Sequence, residues 1–210
     1  MSNESGAVFY SGRAAFNAPS PLYVLGLSPG GNPGRQPEDT VKKHCDVVLN
    51  EKPYDWSEYQ DEIWLCGHKP GESGMQPRVV SLQIRGLGLD PRKVPASNVV
   101  FLRSALERNI ASRFSYLARE CWPFHLAVIE RLDVRVILCF GQRAGNWVCE
   151  RFGATNFVDQ FIEKNKRRWR SRAYRSARGI TVVVATHPSR ADWTTPPSDP
   201  SKLVRCMLEF

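Results

Sequence analysis

The sequence predicts a three-layer α/β/α fold, in which helices cover both faces of a mainly parallel, four-stranded central sheet. Short apolar segments alternate along the chain with longer segments of helical character, as in parallel sheets built from crossover units. The apolar segments are continuous, which is expected of strands buried on both faces. A chain of 210 residues suits one such domain. We therefore expect a single domain over residues 21–210, preceded by a flexible segment at residues 1–20.

Four apolar segments predict the strands, each bounded by Gly, Pro or polar residues. In chain order they cover residues 23–27, 97–102, 134–140 and 180–186. Helices are expected between and after them, with Pro37 in the first turn of one and Gly141 just before another. These helices cover residues 37–49, 76–87, 114–133, 142–152 and 200–210. An edge hairpin is predicted at residues 169–175, whereas residues 51–74 are polar and aromatic-rich without a clear period.

The cysteines and the hydropathy pattern bear on the cellular location. Six cysteines are scattered without a CxxC pair, at positions 45, 66, 121, 139, 149 and 206. This spacing favours reduced thiols over disulfides or a metal site. The sequence contains no run of the roughly 18 apolar residues that a membrane span needs, and its start has no hydrophobic signal-peptide centre. We expect a cytoplasmic protein with no membrane partner and no metal.

The net charge of +8 is concentrated in one segment. Residues 163–178 contain eight basic residues and one acidic residue, interleaved with Trp169 and Tyr174. Clustered cations beside aromatic rings are typical of surfaces that bind a phosphate backbone and stack on bases. The candidate contacts are Lys166, Arg167, Arg168 and Arg170. The alternative is a solvated hairpin that keeps the protein soluble.

Ligands of parallel α/β sheets bind beyond the carboxyl ends of the strands. Three loops have that position here: residues 28–35, the residues from Arg103 onward, and residues 187–193. The first loop is rich in glycine, so its backbone N–H groups can approach a ligand without a Cβ in the way. These loops are therefore the predicted site.

Four motifs near these strand ends, in chain order, resemble the uracil-DNA glycosylase superfamily. They are GLSPG after the first strand, SNVV in the second, VILCFGQRAGNWV in the third unit and ATHPSRADW after the fourth. The family has a Gly-x-(Asp/Asn/Ala)-Pro-(Tyr/Gly) loop, a strand Asn, an apolar strand ending in Gly-x-x-Ala and a His-Pro-Ser loop. The spacing is nearest to that of its iron–sulfur branch, and the resemblance covers residues 23–193. It implies a uracil-DNA glycosylase-like fold with DNA as the partner.

The sequence departs from that family pattern in two places. Of the four cysteines of the iron–sulfur branch, Cys121 matches one, Leu102 stands where another would be, and the N-terminal pair is missing. One thiolate cannot hold a cluster, so we expect no cofactor. Ser28 stands where the family places Asp or Asn, or Ala in some branches, and serine is not a general base at neutral pH without a partner. Asn32 and Asp192 are alternative ligands of the attacking water.

The resemblance implies catalytic and base-binding roles. His187 would stabilise negative charge on the departing base, Asn98 would recognise the base edge, and the Ser28 loop would hold water and sugar. The base pocket would be lined by Gly26, Leu27 and Gly30.

It also implies contacts to DNA from the last loop. Ser189 matches a residue that binds a DNA phosphate. The residue at the family's wedge position is Ala191, which is too small to fill a vacated base stack. Arg190 or Trp193 would stack there in its place.

The resemblance thus implies a monofunctional DNA glycosylase, expected to be a monomer, that removes uracil or a modified pyrimidine and leaves an abasic site. Gly30 replaces the tyrosine with which the uracil-specific branch excludes groups on pyrimidine C5. Bulky 5-substituted bases would then fit, such as the glucosylated hydroxymethylcytosine of some phages, on which a phage-defence branch of the superfamily acts. DNA repair and antiviral defence are both compatible with this activity.

Two other functions are weighed against it. Ser28 favours a catalytically weak or inactive DNA-binding member of the same superfamily. A nucleotide-binding α/β enzyme is disfavoured, because the glycine loop lacks the Gly-Lys-Ser/Thr ending of a P-loop and no GxGxxG is present.

Overall fold

A computed structural model describes residues 1–64 and 67–209 of the chain. Its strands form one sheet of six, in the order β2-β1-β3-β6-β5-β4. The strands are β1 (Leu22–Gly26), β2 (Ala96–Asn98), β3 (Val136–Phe140), β4 (Asn156–Ile162), β5 (Arg170–Arg175) and β6 (Thr181–Ala185). The pairs β2–β1, β1–β3 and β3–β6 are parallel. The pairs β6–β5 and β5–β4 are antiparallel. The α/β class is confirmed, but the predicted four-stranded sheet is wrong because the hairpin adds two strands.

The added strands extend the sheet beyond β6. The prediction of an edge hairpin within residues 169–175 is wrong, because those residues form the single strand β5. β5 pairs with β6 on one side and forms a hairpin with β4, the outer edge of the sheet, on the other. β4 is not apparent in the sequence because its residues are exposed or half-buried, with Asp159 and Gln160 in the middle. A strand that water reaches carries mixed residues and gives no continuous apolar signal.

The described helices cover both faces of the sheet. They are α1 (Val41–Asn50), α2 (Glu58–Asp61), α3 (Gln76–Ser81), α4 (Glu107–Ile110), α5 (Phe114–Arg131), α6 (Gln142–Phe152) and α7 (Ser201–Leu208). α3 continues into a π-helical segment, Leu82–Leu87. α1 begins at Val41, later than predicted, because Thr40 caps it: its Oγ1 accepts a hydrogen bond from Lys43 N at 3.2 Å.

Alternate strand residues are buried in two separate cores. Tyr23, Leu25 and Ile137 pack in the core that includes side chains of α5 and α6. Leu22 and Leu138 point to the opposite face, into the core that includes side chains of α3 and α7. Helices therefore lie on both sides of the sheet, as the apolar runs predict.

The N-terminal segment, predicted to be flexible, packs along β2. Ala7 N donates to Phe101 O and Tyr10 N donates to Ala96 O, both at 2.9 Å. Ala7, Tyr10 and Ala15 are buried. The prediction of a flexible segment at 1–20 is wrong for this stretch, because β2 would otherwise leave backbone groups unpaired at the edge of the sheet.

The described cysteines form no disulfide; the free thiols are Cys45, Cys121, Cys139, Cys149 and Cys206, and Cys66 lies outside the described residues. Within residues 1–64 and 67–209, no group of three or more His, Cys, Asp or Glu side chains is arranged to hold a metal ion. None of the described helices combines the length and apolar character that a bilayer span requires.

Candidate active site

The strand order predicts a ligand crevice at the carboxyl ends of β1 and β3. The chain leaves β1 towards β2 on one side, then crosses over to β3 and β6 on the other. Crevices at such reversals are the usual ligand sites of open α/β sheets. The loop after β1, Gly141 after β3 and the loop after β6 all begin at this edge.

The strand register brings three predicted site residues to one face of this edge. Gly26 is paired with Asn98, and Phe140 with Ala185. Ser28 follows Gly26 by two residues in the loop beyond the strand, and Leu27 between them packs in the opposite core. The His187 ring lies 6.2 Å from the Phe140 ring on this face. Two strand spacings separate the backbones after β1 and β6, about 10 Å.

The side-chain amide of Asn98 lies at this face, and not all of its hydrogen-bonding groups have a partner within the described residues. Its exposed fraction is 4%, and within the described residues its Nδ2 is buried without a hydrogen-bond partner. A methyl group at Gly26 would overlap Asn98 Oδ1, so Gly26 makes room for this amide. The Asn98 amide also acts on the buried Tyr10 hydroxyl, lowering its pKa against the larger effect of burial, which raises it. Asn98 Nδ2 thus makes no hydrogen bond to the described residues, although the Tyr10 hydroxyl lies close enough for the amide to lower its pKa.

Replacing Gly26 by alanine is expected to lower the free energy of unfolding by about 1–3 kcal/mol, because the new methyl group must displace the buried Asn98 amide. Urea denaturation measures this. Gly30→Ala is the matched control: a Cβ there meets nothing within 4 Å, and the change should stay within about 0.5 kcal/mol. Equal effects of the two substitutions would contradict the placement of Asn98.

His187 is held neutral, and its Nε2 has no hydrogen-bond partner among residues 1–64 and 67–209. Burial lowers its pKa to about 4, and Arg190 adds to the shift. Its Nδ1 accepts a hydrogen bond from Ser189 N at 3.1 Å and lies 2.8 Å from Ser189 Oγ. Because Nδ1 is the acceptor, we assign the ring proton to Nε2. His187 thus presents an Nε2–H donor beside Gly141. A Cβ atom added at Gly141 would lie 3.5 Å from Cδ2 of the His187 ring.

The glycine loop after β1 is fixed by the chain that follows β2. Ser104 N donates to Pro29 O at 2.8 Å, and the Arg103 guanidinium donates to Gly30 O at 2.7 Å. Gly31 requires glycine, since its φ is +99°. Ser28 is half-buried, and within the described residues no carboxylate or imidazole is hydrogen-bonded to its hydroxyl. In the described part of the chain, no group is therefore placed to activate Ser28 as a base.

The two alternative water ligands are engaged elsewhere. Asn32 is exposed, and its Oδ1 closes its own turn by accepting from Gly34 N at 2.9 Å. The Asp192 carboxylate accepts from the Thr194 hydroxyl at 2.6 Å, which lowers its pKa, and lies 3.8 Å from Arg78 Nε. Asp192 thus helps attach the His187 loop to α3.

The basic hairpin contacts the loop that carries His187. Arg167 donates to Arg190 O, and its guanidinium stacks on Trp169 at 4.4 Å. The same guanidinium lies 3.3 Å from the buried Glu163 carboxylate. Arg167 therefore positions the hairpin tip. The other predicted DNA contacts of the hairpin and of the loop after β6 are exposed to solvent: Lys166, Arg168, Arg170, Ser189 and Arg190.

Trp193 is a core residue, which corrects its predicted role in DNA stacking. Its exposed fraction is 1%, and its ring packs edge-to-face on Phe140 at 5.4 Å. It cannot reach a base stack from this position. Burying this large apolar ring beneath the loop is more favourable than leaving it in water. The loop sequence alone does not indicate that the ring is buried.

Sequence reasoning missed the side chains that cover the Asn98 face. Glu58 and Tyr59 belong to α2, and the Tyr59 ring is 6.3 Å from Phe140. Trp64 Nε1 donates to Glu58 Oε1 at 2.7 Å. Burial raises the pKa of Glu58 to about 7. The sequence signal was the unexplained mixture of acids and aromatic residues in 51–74; the position of these side chains depends on tertiary packing.

No protein-family model matches the chain, and no curated protein matches it either. What the cleft does is therefore inferred from its own residues.

Proposed function

We propose that this protein is a monofunctional DNA glycosylase, which hydrolyses the N-glycosidic bond of a flipped-out uracil or modified pyrimidine and leaves an abasic site. One observation supports this above the others: the neutral His187 and the Asn98 amide, whose Nδ2 makes no hydrogen bond to the described residues, lie on the same face at the carboxyl edge of the sheet. The first can stabilise a leaving base and the second can read its edge. Repair of damaged DNA and defence against modified phage DNA would both use this activity.

His187 would supply the main catalytic contribution. When the C1′–N1 bond breaks, its electron pair leaves with the base and negative charge develops on the pyrimidine O2. A preorganised donor aimed at that charge lowers the barrier. The Nε2–H group can do this without a proton transfer, because the ring is neutral and its Nδ1 is occupied by Ser189.

Asn98 would orient the base for this step. A flipped pyrimidine presents donors and acceptors along its N3 edge. An amide carries both a donor and an acceptor. The buried Nδ2 of Asn98 donates no hydrogen bond within the described residues. A base acceptor would satisfy it.

The attacking water is the weakest part of the arrangement. Water must add to C1′ and lose a proton, and Ser28 has no basic partner within the described residues. The serine hydroxyl and nearby backbone groups can orient water without deprotonating it. The same observation favours the second candidate function, an inactive DNA-binding relative.

The exposed hairpin cations would bind the DNA backbone beside the crevice. Lys166→Ala combined with Arg168→Ala is expected to make the negative slope of log Kobs against log salt shallower by about 1.8, since each lost phosphate contact contributes about 0.9. Fluorescence anisotropy with a labelled duplex measures the slope. Arg131→Ala, an exposed cation at the end of α5, is the control and should leave it unchanged. An unchanged slope in the double variant would identify the hairpin as a merely solvated surface.

The activity is tested by scoring alkali-labile abasic sites. Duplex and single-stranded DNA carrying uracil, hypoxanthine or 5-modified cytosines are incubated with the protein and with His187→Ala. We expect base release from at least one pyrimidine substrate, dependent on His187. Tight DNA binding without any base release would favour the inactive relative. Activity confined to uracil would remove the idea of a pocket for bulky bases.

A further inference from the structure

Glu58 lies on the Asn98 side of the crevice. Glu58 N donates to Tyr10 O at 3.0 Å, and Tyr10 N donates to Ala96 O at 2.9 Å, two residues before Asn98. The Tyr10 hydroxyl interacts electrostatically with both the Glu58 carboxylate and the Asn98 amide. The backbone hydrogen bonds thus place Glu58 next to the segment that pairs with β2, the strand that carries Asn98.

Trp64 positions the Glu58 carboxyl group by one hydrogen bond, and the carboxyl group can accept further hydrogen bonds. The indole Nε1 donates to Oε1 at 2.7 Å, and no other hydrogen bond to the Glu58 carboxyl is present within the described residues. The side chain is half-buried, so Glu58 is both positioned and reachable. An ionised carboxylate can only accept hydrogen bonds.

The far side of the crevice determines which part of a base Glu58 would meet. Asn98 and His187 stand on strands three spacings apart, about 14 Å. In a pyrimidine, O2 and the 4-substituent flank N3 on opposite sides. If His187 meets O2, the Asn98 side meets N3 and the 4-substituent, and Glu58 lies on that side.

We propose that Glu58 accepts a hydrogen bond from the 4-amino group of the flipped base, so that the preferred substrates are 4-aminopyrimidines of the cytosine class. This inference rests on the proposed glycosylase function. A carboxylate favours an amino group and repels the 4-oxygen of a uracil-class base, and acidic side chains read cytosine N4 in the same way in duplex DNA.

The charged surroundings make this preference sensitive to pH. Burial, with a further contribution from Glu62, raises the pKa of Glu58 to about 7, while Trp64, Lys52 and Arg103 oppose the shift. The carboxylate is thus mostly ionised at pH 8 and mostly protonated at pH 6. Tyr10 remains protonated over this interval, since burial raises its pKa. The pKa of His187 is about 4, so that ring stays neutral.

The test uses a pair of duplexes that differ only at position 4, one with 5-hydroxymethylcytosine and one with 5-hydroxymethyluracil. We expect wild-type kcat/KM to favour the amino substrate, and Glu58→Gln to reduce this preference by about tenfold or more. Lowering the pH from 8 to 6 should reduce the wild-type preference and leave that of the variant unchanged. Glu51→Gln removes an exposed carboxylate and is the control, with the preference retained.

The outcomes separate this inference from the function on which it rests. Base release by the wild type with equal losses on both substrates in Glu58→Gln would overturn the selectivity and indicate a structural role. A preference unaffected by Glu58→Gln and by pH would overturn it too. If the wild type releases neither this pair nor any other base, the proposed function fails and the selectivity with it. Trp64→Phe, which removes the indole donor, should also reduce the preference.

Discussion

Replacing His187 by alanine is expected to slow base release by about 100- to 1,000-fold, the usual cost of losing one donor aimed at developing negative charge. The Nε2–H group is preorganised, because Ser189 N occupies Nδ1 at 3.1 Å and the ring is neutral. Single-turnover kinetics with saturating protein measure the chemical step apart from DNA binding. The loss should appear in that step.

The control measurement for this substitution is the thermal stability of the variant. His187 is half-buried on a loop, so His187→Ala should leave thermal unfolding nearly unchanged. Ser189→Ala removes the hydroxyl but keeps the backbone N–H that occupies Nδ1, and a much smaller loss in the chemical step is expected. A His187→Ala rate within a few-fold of wild type would contradict the role of this donor.

Replacing Trp193 by alanine is expected to lower the free energy of unfolding by about 3–5 kcal/mol, the typical cost of deleting a large buried aromatic side chain. Its exposed fraction is 1%, and it packs on Phe140, which itself contacts the His187 ring. Urea denaturation followed by circular dichroism measures the loss. The cavity would also loosen the base of the catalytic loop, so base release should fall as well.

Trp193→Phe provides the comparison. It keeps an aromatic ring in the core and should cost less than half of the alanine substitution, or about 2 kcal/mol at most. If Trp193→Ala kept wild-type stability and lost only DNA affinity, the tryptophan would belong to the DNA surface, as its sequence position suggests.

The strands of the parallel core were predictable because burial on both faces leaves a composition signal. β1, β3 and β6 are apolar throughout, and each lies within one or two residues of its predicted bounds. β4 was missed because it is partly solvated, and the N-terminal segment because its burial depends on pairing with β2. Local composition does not record such pairings.

The sequence by itself determined which segments become buried parallel strands and which residue types stand at their carboxyl ends, His187, Asn98 and the glycine loop among them. Both follow from short-range patterns of apolar and turn residues. Only the tertiary structure decided which of these side chains share one face, which nitrogen of His187 accepts from Ser189 N, that Trp193 is buried, and that Glu58 accepts a hydrogen bond from Trp64. These features depend on strand register and on packing between segments far apart in the chain, and no local pattern encodes either.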